Sequence, residues 1–352
     1  MTECSGSVKI MKRDIKSMLP CEIEDYFLSI GDKPYRAKQV FSWLHQGVTS
    51  FSEMTNISGA LREKLDLEFY ITSPEIITKQ KSNLDGTVKY LWRLNDNESV
   101  ESVLMEYSHG RTVCISSQVG CKMGCLFCAS SYGGFVRNLT TSEMLDQVLS
   151  SQTDGNTRVS SIVVMGMGEP LDNYDNLIRF IKLVMHPFGT NIGARHITVS
   201  TCGMIEYIDK LSEFDVQLTL AISLHAADDE TRTYLIPSNR NVGVNNLVDA
   251  GNRFFAKTGR RVTYEYAMID KINDTEDHAD RLVKLLRNTK SHVNIITLSD
   301  IPNSLFKPST SKAFKTFTNI LSENNINYTV RRSLGKDIEA ACGQLKNRTK
   351  QY

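Results

Sequence analysis

Hydrophobic side chains recur at helical spacing through the first 70 residues of the chain. One run stops before Gly31 and a second before Gly47, a pattern that predicts short helices with glycine stops. The runs comprise Ile15, Met18, Leu19, Ile23, Tyr26, Phe27 and Ile30, and then Ala37, Val40, Phe41 and Leu44. The spacing predicts a small helical accessory domain over residues 1–73.

From Pro74 the pattern changes to extended segments. The segments cover residues 76–78, 88–92 and 100–105, and an Asp-Gly turn at Asp85 separates the first two. Short β-branched and aromatic runs on either side of such a turn are typical of hairpins. We therefore expect a short β meander over residues 74–110.

From residue 113 onward, β-branched runs alternate with amphipathic stretches. Predicted strands cover 113–116, 160–165, 196–200, 217–224, 262–268, 293–298 and 328–331; predicted helices cover 140–149, 176–185, 204–211, 244–255, 276–286 and 311–324. The first helix opens with a capping box from Thr140 to Glu143. Apolar strands joined by helices predict an α/β fold with a parallel sheet, closed or partly closed as a barrel, over residues 111–345. The chemistry of such a barrel lies beyond the carboxyl ends of its strands.

Composition and charge narrow the class of protein. The 352 residues carry 41 basic and 40 acidic side chains, and 41% are hydrophobic, which excludes a disordered or coiled-coil chain. No apolar run approaches the roughly 18 residues of a membrane span, and the first residues carry no secretory signal. We expect a soluble, cytoplasmic protein. Basic clusters at Lys33, Arg36 and Lys38, and from Arg331 into a basic tail at 346–352, are most simply solvated charge.

Three of the eight cysteines form one compact motif. Cys121, Cys125 and Cys128 have the spacing C-x3-C-x2-C and directly follow the predicted strand 113–116. Gly120 and Gly124 allow the backbone to turn closely around a bound group. A chain without signs of export is not expected to carry a structural disulfide framework.

Two inorganic sites are compatible with this motif. Zinc takes four protein ligands, commonly from two C-x2-C pairs, and no second pair exists here. A four-iron cluster held by three cysteines leaves one iron open for another ligand. The zinc alternative corresponds to a non-catalytic, zinc-stabilised RNA-binding module.

The C-x3-C-x2-C loop resembles that of the radical S-adenosylmethionine (SAM) superfamily. In that superfamily the open iron of a [4Fe-4S] cluster chelates SAM, whose reductive cleavage gives a 5′-deoxyadenosyl radical. The resemblance implies a partial (β/α)6 radical-SAM barrel. The glycine-rich turn at Gly168 and Glu169 fits a site for the SAM ammonium, and Ser223 and His225 close a buried strand beside it.

Longer strings resemble the RlmN/Cfr family of RNA adenine methyltransferases. The strings lie at residues 114–121 (CISSQVGC), 137–140 (RNLT), 165–170 (MGMGEP), 222–225 (ISLH) and 337–345 (DIEAACGQL), with YRAKQ at 35–39. The resemblance implies that Cys121, Cys125 and Cys128 ligate the cluster. It implies SAM contacts at Gly168, Glu169, Ser200, Ser223, Leu224, His225 and Ser299.

The same resemblance implies a reaction that passes through sulfur. Cys342 takes a methyl group from one SAM, and the radical from a second SAM activates that methyl for addition to adenine. Glu101 removes the ring proton, and Cys114 attacks the sulfur of Cys342, releasing RNA and leaving a disulfide for an external reductant. Val103 and Met105 share the face of Glu101, and such an apolar neighbourhood would raise its pKa. Glu106 faces the other side and is the weaker candidate.

The resemblance implies a monomer that methylates adenine carbon 2 in 23S rRNA at the peptidyl-transferase centre and in tRNA beside the anticodon. It also favours the two basic clusters and the helical accessory domain as parts of an RNA-docking surface. The alternative is Cfr-like methylation of carbon 8, in whose members a cysteine tends to stand where Val119 stands here. One departure from the family lies at residues 292–299 (HVNIITLS), where Ser299 replaces a SAM-contacting asparagine. Serine offers one donor instead of two.

Cys202 is the cysteine most easily mistaken for a reactive thiol.

Overall fold

The computed structural model describes residues 12–298, 305–340 and 343–345. The chain begins with a helical front formed by β1 (Arg13–Asp14), α1 (Pro20–Ser29), α2 (Tyr35–His45), α3 (Gly59–Glu68) and β2 (Phe69–Tyr70). β1 and β2 pair in parallel. The predicted apolar positions of α1 and α2 are buried, which confirms the helical pattern.

The meander that follows is part of the main sheet. Its strands are β3 (Glu75–Lys81), β4 (Val88–Arg93), β5 (Ser99–Tyr107) and β6 (Gly110–Ile115), each antiparallel to the next. β6 begins three residues before the predicted strand because residues 110–112 pair with the end of β5. The meander therefore joins the barrel through continuous backbone hydrogen bonds.

A small antiparallel ribbon interrupts the chain after β6. It consists of β7 (Gln118–Gly120) and β8 (Phe135–Asn138), which form a separate two-stranded sheet. No strand was predicted in either segment. The helix α4 (Thr141–Asp154) follows, opened by the predicted capping box at Thr140.

The remaining strands extend β6 into a parallel array. They are β9 (Val159–Val164), β10 (Ile197–Thr201), β11 (Thr219–Ser223), β12 (Val262–Met268), β13 (Ser291–Thr297) and β14 (Tyr328–Val330). The connecting helices are α5 (Tyr174–Met185), α6 (Ile205–Glu213), α7 (Asp229–Leu235), α8 (Val244–Thr258), α9 (Glu276–Leu286) and α10 (Ser311–Glu323). The strand order is β14-β13-β12-β11-β10-β9-β6-β5-β4-β3, so the predicted partial barrel is confirmed. Its short seventh parallel strand, β14, lies where the strand 328–331 was predicted.

One hydrophobic core connects the front helices, the meander and the barrel. It includes Phe27 of α1, Trp92 of β4 and Leu220 of β11, all fully buried. A buried ion pair also crosses between the parts, since Lys16 Nζ lies 2.7 Å from Asp146 Oδ1 of α4. The division at residues 73 and 110 stays a prediction. Among the described residues, every helix is too short or too polar to traverse a lipid bilayer.

Candidate active site

The three-cysteine loop is bracketed by the ribbon β7–β8. Cys121 follows β7 directly and is buried, whereas Cys125 and Cys128 are partly exposed. The loop was expected directly after the strand at 113–116, and this placement was wrong because β7 intervenes. Pairing of Gln118 with Asn138 closes the ribbon on either side of the loop.

Gly120 is required where the ribbon enters the loop. Its φ is +73°, a conformation that side chains with a Cβ disfavour. A Cβ on Gly120 would lie 1.8 Å from the carbonyl oxygen of Gly134, which is closer than any non-bonded contact. The two ends of the cysteine loop can therefore approach each other only because residue 120 has no side chain.

The cysteines share a cavity with most of the predicted SAM contacts. Its lining includes Cys121, Cys125, Cys128, Gly168, Glu169, Ser200, Ser223 and His225. Three thiols on one loop are suitable ligands for an iron–sulfur cluster, whose thiolates bind three different irons. Within the ranges that the structure describes, no three His, Cys, Asp or Glu side chains are grouped as for a single metal ion. The donor chemistry and the shared cavity fit a cluster beside SAM.

Burial keeps the thiols of Cys121 and Cys125 protonated when no cation is present. Desolvation raises the pKa of Cys121 to about 11 and that of Cys125 well above its usual value. A cationic iron–sulfur core favours the thiolate form and offsets that cost. Cluster binding is therefore coupled to the loss of these protons.

Glu169 is held rigidly at the cavity wall. Its two carboxylate oxygens accept hydrogen bonds from the backbone amides of Leu171, at 3.0 Å, and Cys202, at 2.8 Å. Burial raises the pKa of Glu169, and these amide donors oppose the rise. The carboxylate lines the cavity, where it can accept from a further donor such as an ammonium group.

His225 is neutral and has one defined tautomer. Its Nδ1 accepts a hydrogen bond from the backbone amide of Ala267 at 3.0 Å, which places the ring proton on Nε2. Burial, followed by the charge of Arg232, lowers the pKa of His225 to about 3. His225 can therefore offer an uncharged N–H donor to a ligand. Leu224 differs, because its side chain belongs to the hydrophobic core and does not line the cavity.

Arg232 is a buried side chain that sequence reasoning missed. Its guanidinium donates to the carbonyl oxygens of Cys202, Ser223 and Leu224, and so ties together the loops after β10 and β11. The only sequence signal for Arg232 is an arginine in the short helix α7, and an arginine in such a helix is usually exposed. Cys202 is buried, and burial raises the pKa of its thiol well above the usual value, so its reactivity is low.

A second cavity adjoins the first and contains Cys114. Its walls include Val103, Met105 and Cys114 from β5 and β6, and Gly343 and Leu345 from the C-terminal segment. Cys128, Ser130 and Gly343 border both cavities. A group bound in one cavity can therefore meet a group bound in the other.

Glu101 is buried on the same face as Cys114, with 1% of its surface exposed. Val103 and Met105, the apolar residues expected on this face, are buried, and Lys89 Nζ also lies 3.8 Å from Glu101 Oε1. Lys89 is itself buried, so the carboxylate faces an ammonium within the protein. Glu106 lies on the other face, is exposed and pairs with Arg111 at 3.5 Å.

Two of the predicted site residues, Ser299 and Cys342, lie outside the described residues, as does the basic tail at 346–352. The residues on either side of Cys342 are nevertheless anchored. Gly343 O accepts from the amide of Ala129 at 2.7 Å, and Leu345 O accepts from Ser130 Oγ at 2.7 Å. The C-terminal segment is thus bonded to the end of the cysteine loop.

Arg331 was grouped with the solvated basic cluster, and this was wrong. Its side chain lines both cavities, and its Nη1 lies 3.9 Å from Glu265 Oε2, a buried carboxylate on β12. Pairing with β13 places β14 beside the barrel interior. The amide of Arg331 continues this pairing by donating to Ile295 O of β13, and its side chain is directed inward.

Family models match two separate parts of the chain. The ribosomal RNA large subunit methyltransferase N-terminal domain matches residues 14–71, and the radical SAM superfamily matches residues 115–286. Radical SAM proteins use a [4Fe-4S] cluster and SAM.

Similar proteins cover nearly the whole chain. A probable dual-specificity RNA methyltransferase RlmN of Lachnoclostridium phytofermentans is 48% identical over 95% of this chain and 94% of its own length. Its counterpart in Clostridium tetani is 46% identical over 94% and 96%. A crystal structure of a radical SAM methyltransferase from Sphaerobacter thermophilus superposes with a TM-score of 0.90 at 40% identity, covering 95% of this chain and 99% of that one. Identity at this level over both matched parts shows that the chain belongs to the RlmN family of radical SAM RNA methyltransferases.

Proposed function

We propose that this enzyme methylates carbon 2 of an adenine in 23S rRNA, at the peptidyl-transferase centre, and in tRNA next to the anticodon. The relatives' description as dual-specificity RNA methyltransferases supports two RNA substrates. The single structural observation that carries the proposal is a cavity lined by Cys114, by Cys128 of the three-cysteine loop and by Gly343 of the C-terminal segment. Glu101 lies on the same face of the sheet as Cys114.

Carbon 2 of adenine offers no nucleophilic lone pair, so direct methyl transfer from SAM has no acceptor there. In the proposed reaction Cys342 carries the methyl group as S-methylcysteine. The cluster, ligated by Cys121, Cys125 and Cys128, supplies with SAM the radical that removes hydrogen from this methyl. Two SAM molecules are consumed in each turnover.

The protein's own groups then complete the transfer. The carbon on Cys342 bonds to adenine C2, Glu101 accepts the ring proton, and the Cys114 thiolate attacks the sulfur of residue 342. The carbon–sulfur bond breaks, the released carbon takes a proton to complete the methyl group, and the unpaired electron passes to an external electron carrier. A Cys114–Cys342 disulfide remains, which takes two electrons and two protons from an external reductant. The position of Cys114 in the wall of the cavity that Gly343 also lines supports its role in this last step.

SAM binding is assigned to the barrel edge. We assign it to Gly168, Glu169, Ser200, Ser223, Leu224, His225 and Ser299. Support comes from the lining of the first cavity for five of them; Leu224 would act through its main chain.

RNA binding is assigned to the helical front. Lys33 and Lys38 are exposed there, and the ammonium of Lys38 lies 3.8 Å from the ring centroid of the exposed Phe188. Exposed cations beside aromatic rings suit phosphates and unstacked bases. We further propose that the enzyme acts in the cytoplasm as a monomer.

Nucleoside mass spectrometry tests the proposal. Anaerobically reconstituted enzyme is incubated with SAM, a reductant and either protein-free 23S rRNA or tRNA, and the RNA is digested. We expect 2-methyladenosine from both RNAs and none from a Cys128→Ala variant. Exclusive formation of 8-methyladenosine, the Cfr-like outcome, would overturn the assignment of carbon 2.

A further inference from the structure

We propose that Lys89 is a positioning residue that couples the base Glu101 to the loop carrying Cys342. This inference rests on the proposed function, because it concerns the two groups that are assigned to its last steps. Lys89 belongs to neither the cluster ligands nor the SAM contacts.

Lys89 contacts both the carboxylate of Glu101 and the backbone of Glu339. Its Nζ lies 3.8 Å from Glu101 Oε1 and donates a hydrogen bond of 3.0 Å to the carbonyl oxygen of Glu339. Glu339 lies three residues before Cys342 in the chain. One ammonium group thus contacts both the carboxylate and the backbone that leads to the methyl-carrying sulfur.

Strand register explains why Lys89 is in this position. Lys89 pairs with Val103 across β4 and β5, and Val103 pairs with Cys114 across β5 and β6. Residues 89, 103 and 114 therefore form one row on one face of the sheet. Glu101 lies two residues before Val103 on the same face, diagonal to Lys89.

Burial strengthens the electrostatic attraction between Lys89 and Glu101. Lys89 is 3% exposed and Glu101 is 1% exposed, so water screens neither charge appreciably. Isolated buried charges are strongly disfavoured, which holds each group to its partner. The contact fixes where the carboxylate lies relative to the loop.

The same loop is anchored by the hairpin that precedes Lys89. Asp337 accepts hydrogen bonds from Ser82 Oγ at 2.7 Å and from the amide of Asn83 at 2.9 Å, and the amide of Gly335 donates to Asp85 at 2.9 Å. These contacts lie at the solvent-facing end of the loop. Lys89 supplies a buried contact to the same loop, at Glu339.

A set of four variants tests this role: Lys89→Met, Glu101→Gln, the double variant, and Lys81→Met as a control. Lys81 is an exposed lysine on the neighbouring strand β3. Loss of a general base slows product formation by roughly 100-fold or more, so Glu101→Gln should accumulate a covalent Cys342–RNA adduct. Lys89→Met should accumulate the same adduct and lower kcat by at least about tenfold, with an unchanged KM for RNA. Lys81→Met should behave as wild type.

The double variant shows whether Lys89 acts through Glu101. If it does, product formation by the double variant stays within about threefold of that by Glu101→Gln, because the two losses are not additive. Multiplication of the two single effects would overturn the inference. So would turnover of Lys89→Met at the rate of Lys81→Met.

Two further outcomes distinguish a failure of this inference from a folding defect and from a failure of the proposed function. If Lys89→Met does not fold with its cluster, the charge-neutral double variant replaces it. Adduct formation by the double variant should then be at least about threefold slower than by Glu101→Gln, since the double variant also lacks the bond from Lys89 to Glu339; equal rates would overturn the inference. Wild-type turnover by Glu101→Gln would refute the assignment of the base itself.

Discussion

The environment of His45 disfavours the protonated, charged form of its imidazole. His45 is buried at the end of α2, and a Cβ on Gly189 would lie 2.6 Å from its Nδ1. Burial, with smaller contributions from His186 and Lys16, lowers the pKa of His45 to about 3. The unfolded chain binds this proton below pH 6.5, whereas the folded protein binds it only near pH 3. Stability is therefore present above pH 6.5 and is lost as the pH falls below that value.

This difference gives a measurable pH dependence. Between pH 7 and pH 5, His45 should remove about 2 kcal/mol from the free energy of unfolding. His45→Phe should lose about that much less than wild type over the same interval, measured by urea unfolding. The exposed His109→Phe is the control and should keep the wild-type slope. Equal slopes for wild type and His45→Phe would contradict the prediction.

At the scale of single residues, the sequence predicted most residues of the site but not Lys89. The cysteine spacing and the strings around Glu169 and His225 predicted residues that now line one cavity. Lys89 was not predicted, because a lysine in an alternating strand normally points to solvent. Here the C-terminal segment covers that face, and this contact lies 250 positions away in the chain.

Among the elements, the ribbon β7–β8 determines the shape of the cysteine loop. Gly120 and Gly124 have nearly the same φ, +73° and +71°, but only Gly120 contacts the opposite strand. Gly120→Ala should therefore separate the ribbon and reduce iron incorporation severalfold, whereas Gly124→Ala carries only the backbone strain of about 1 kcal/mol. Iron and sulfide content after anaerobic reconstitution measures the difference. Equal iron content in the two variants would show that the close approach is unimportant.

Elements with local signals were predicted well. The strand 262–268 and the helix 276–286 have the predicted bounds, because apolar alternation and capping are encoded within each segment. α4 continues five residues past its predicted end, where Ser151 and Thr153 hydroxyls donate to helix carbonyls. The ribbon escaped prediction because its short strands gain their hydrogen bonds only from each other, across the cysteine loop.

At the scale of the molecule, the buried pair Lys16–Asp146 joins the helical front to the barrel. Lys16 Nζ also donates to Thr72 O at 2.7 Å, and burial raises the pKa of Asp146 to about 6. Lys16→Met leaves a buried carboxyl without its cation, so the free energy of unfolding should fall by about 3–5 kcal/mol.

The matched variant separates charge from packing. Lys16→Met combined with Asp146→Leu removes both charges and should recover most of that loss, measured by urea unfolding. If the double variant were as unstable as Lys16→Met alone, the loss would come from packing and not from the unpaired carboxyl.

The class of fold was accessible from the sequence, since a parallel barrel follows from alternating strands and helices. The continuity of the sheet from β3 to β14 was not, because it requires the other edge of β6 to pair with β9, which is distant in the sequence. The same holds for Arg331, whose inward position depends on β13.

The hairpin β5–β6 also constrains how this protein can diverge. Glu101 and Cys114 share a face only while Val103 stays opposite Cys114, and a slip of one position would rotate the carboxylate to the opposite side of the sheet. Insertions are harmless only in the turn at residues 107–110. Homologues that acquire new RNA targets are therefore expected to vary in their surface loops, while the pairing that keeps the acid group and the thiol on one side of the sheet stays invariant.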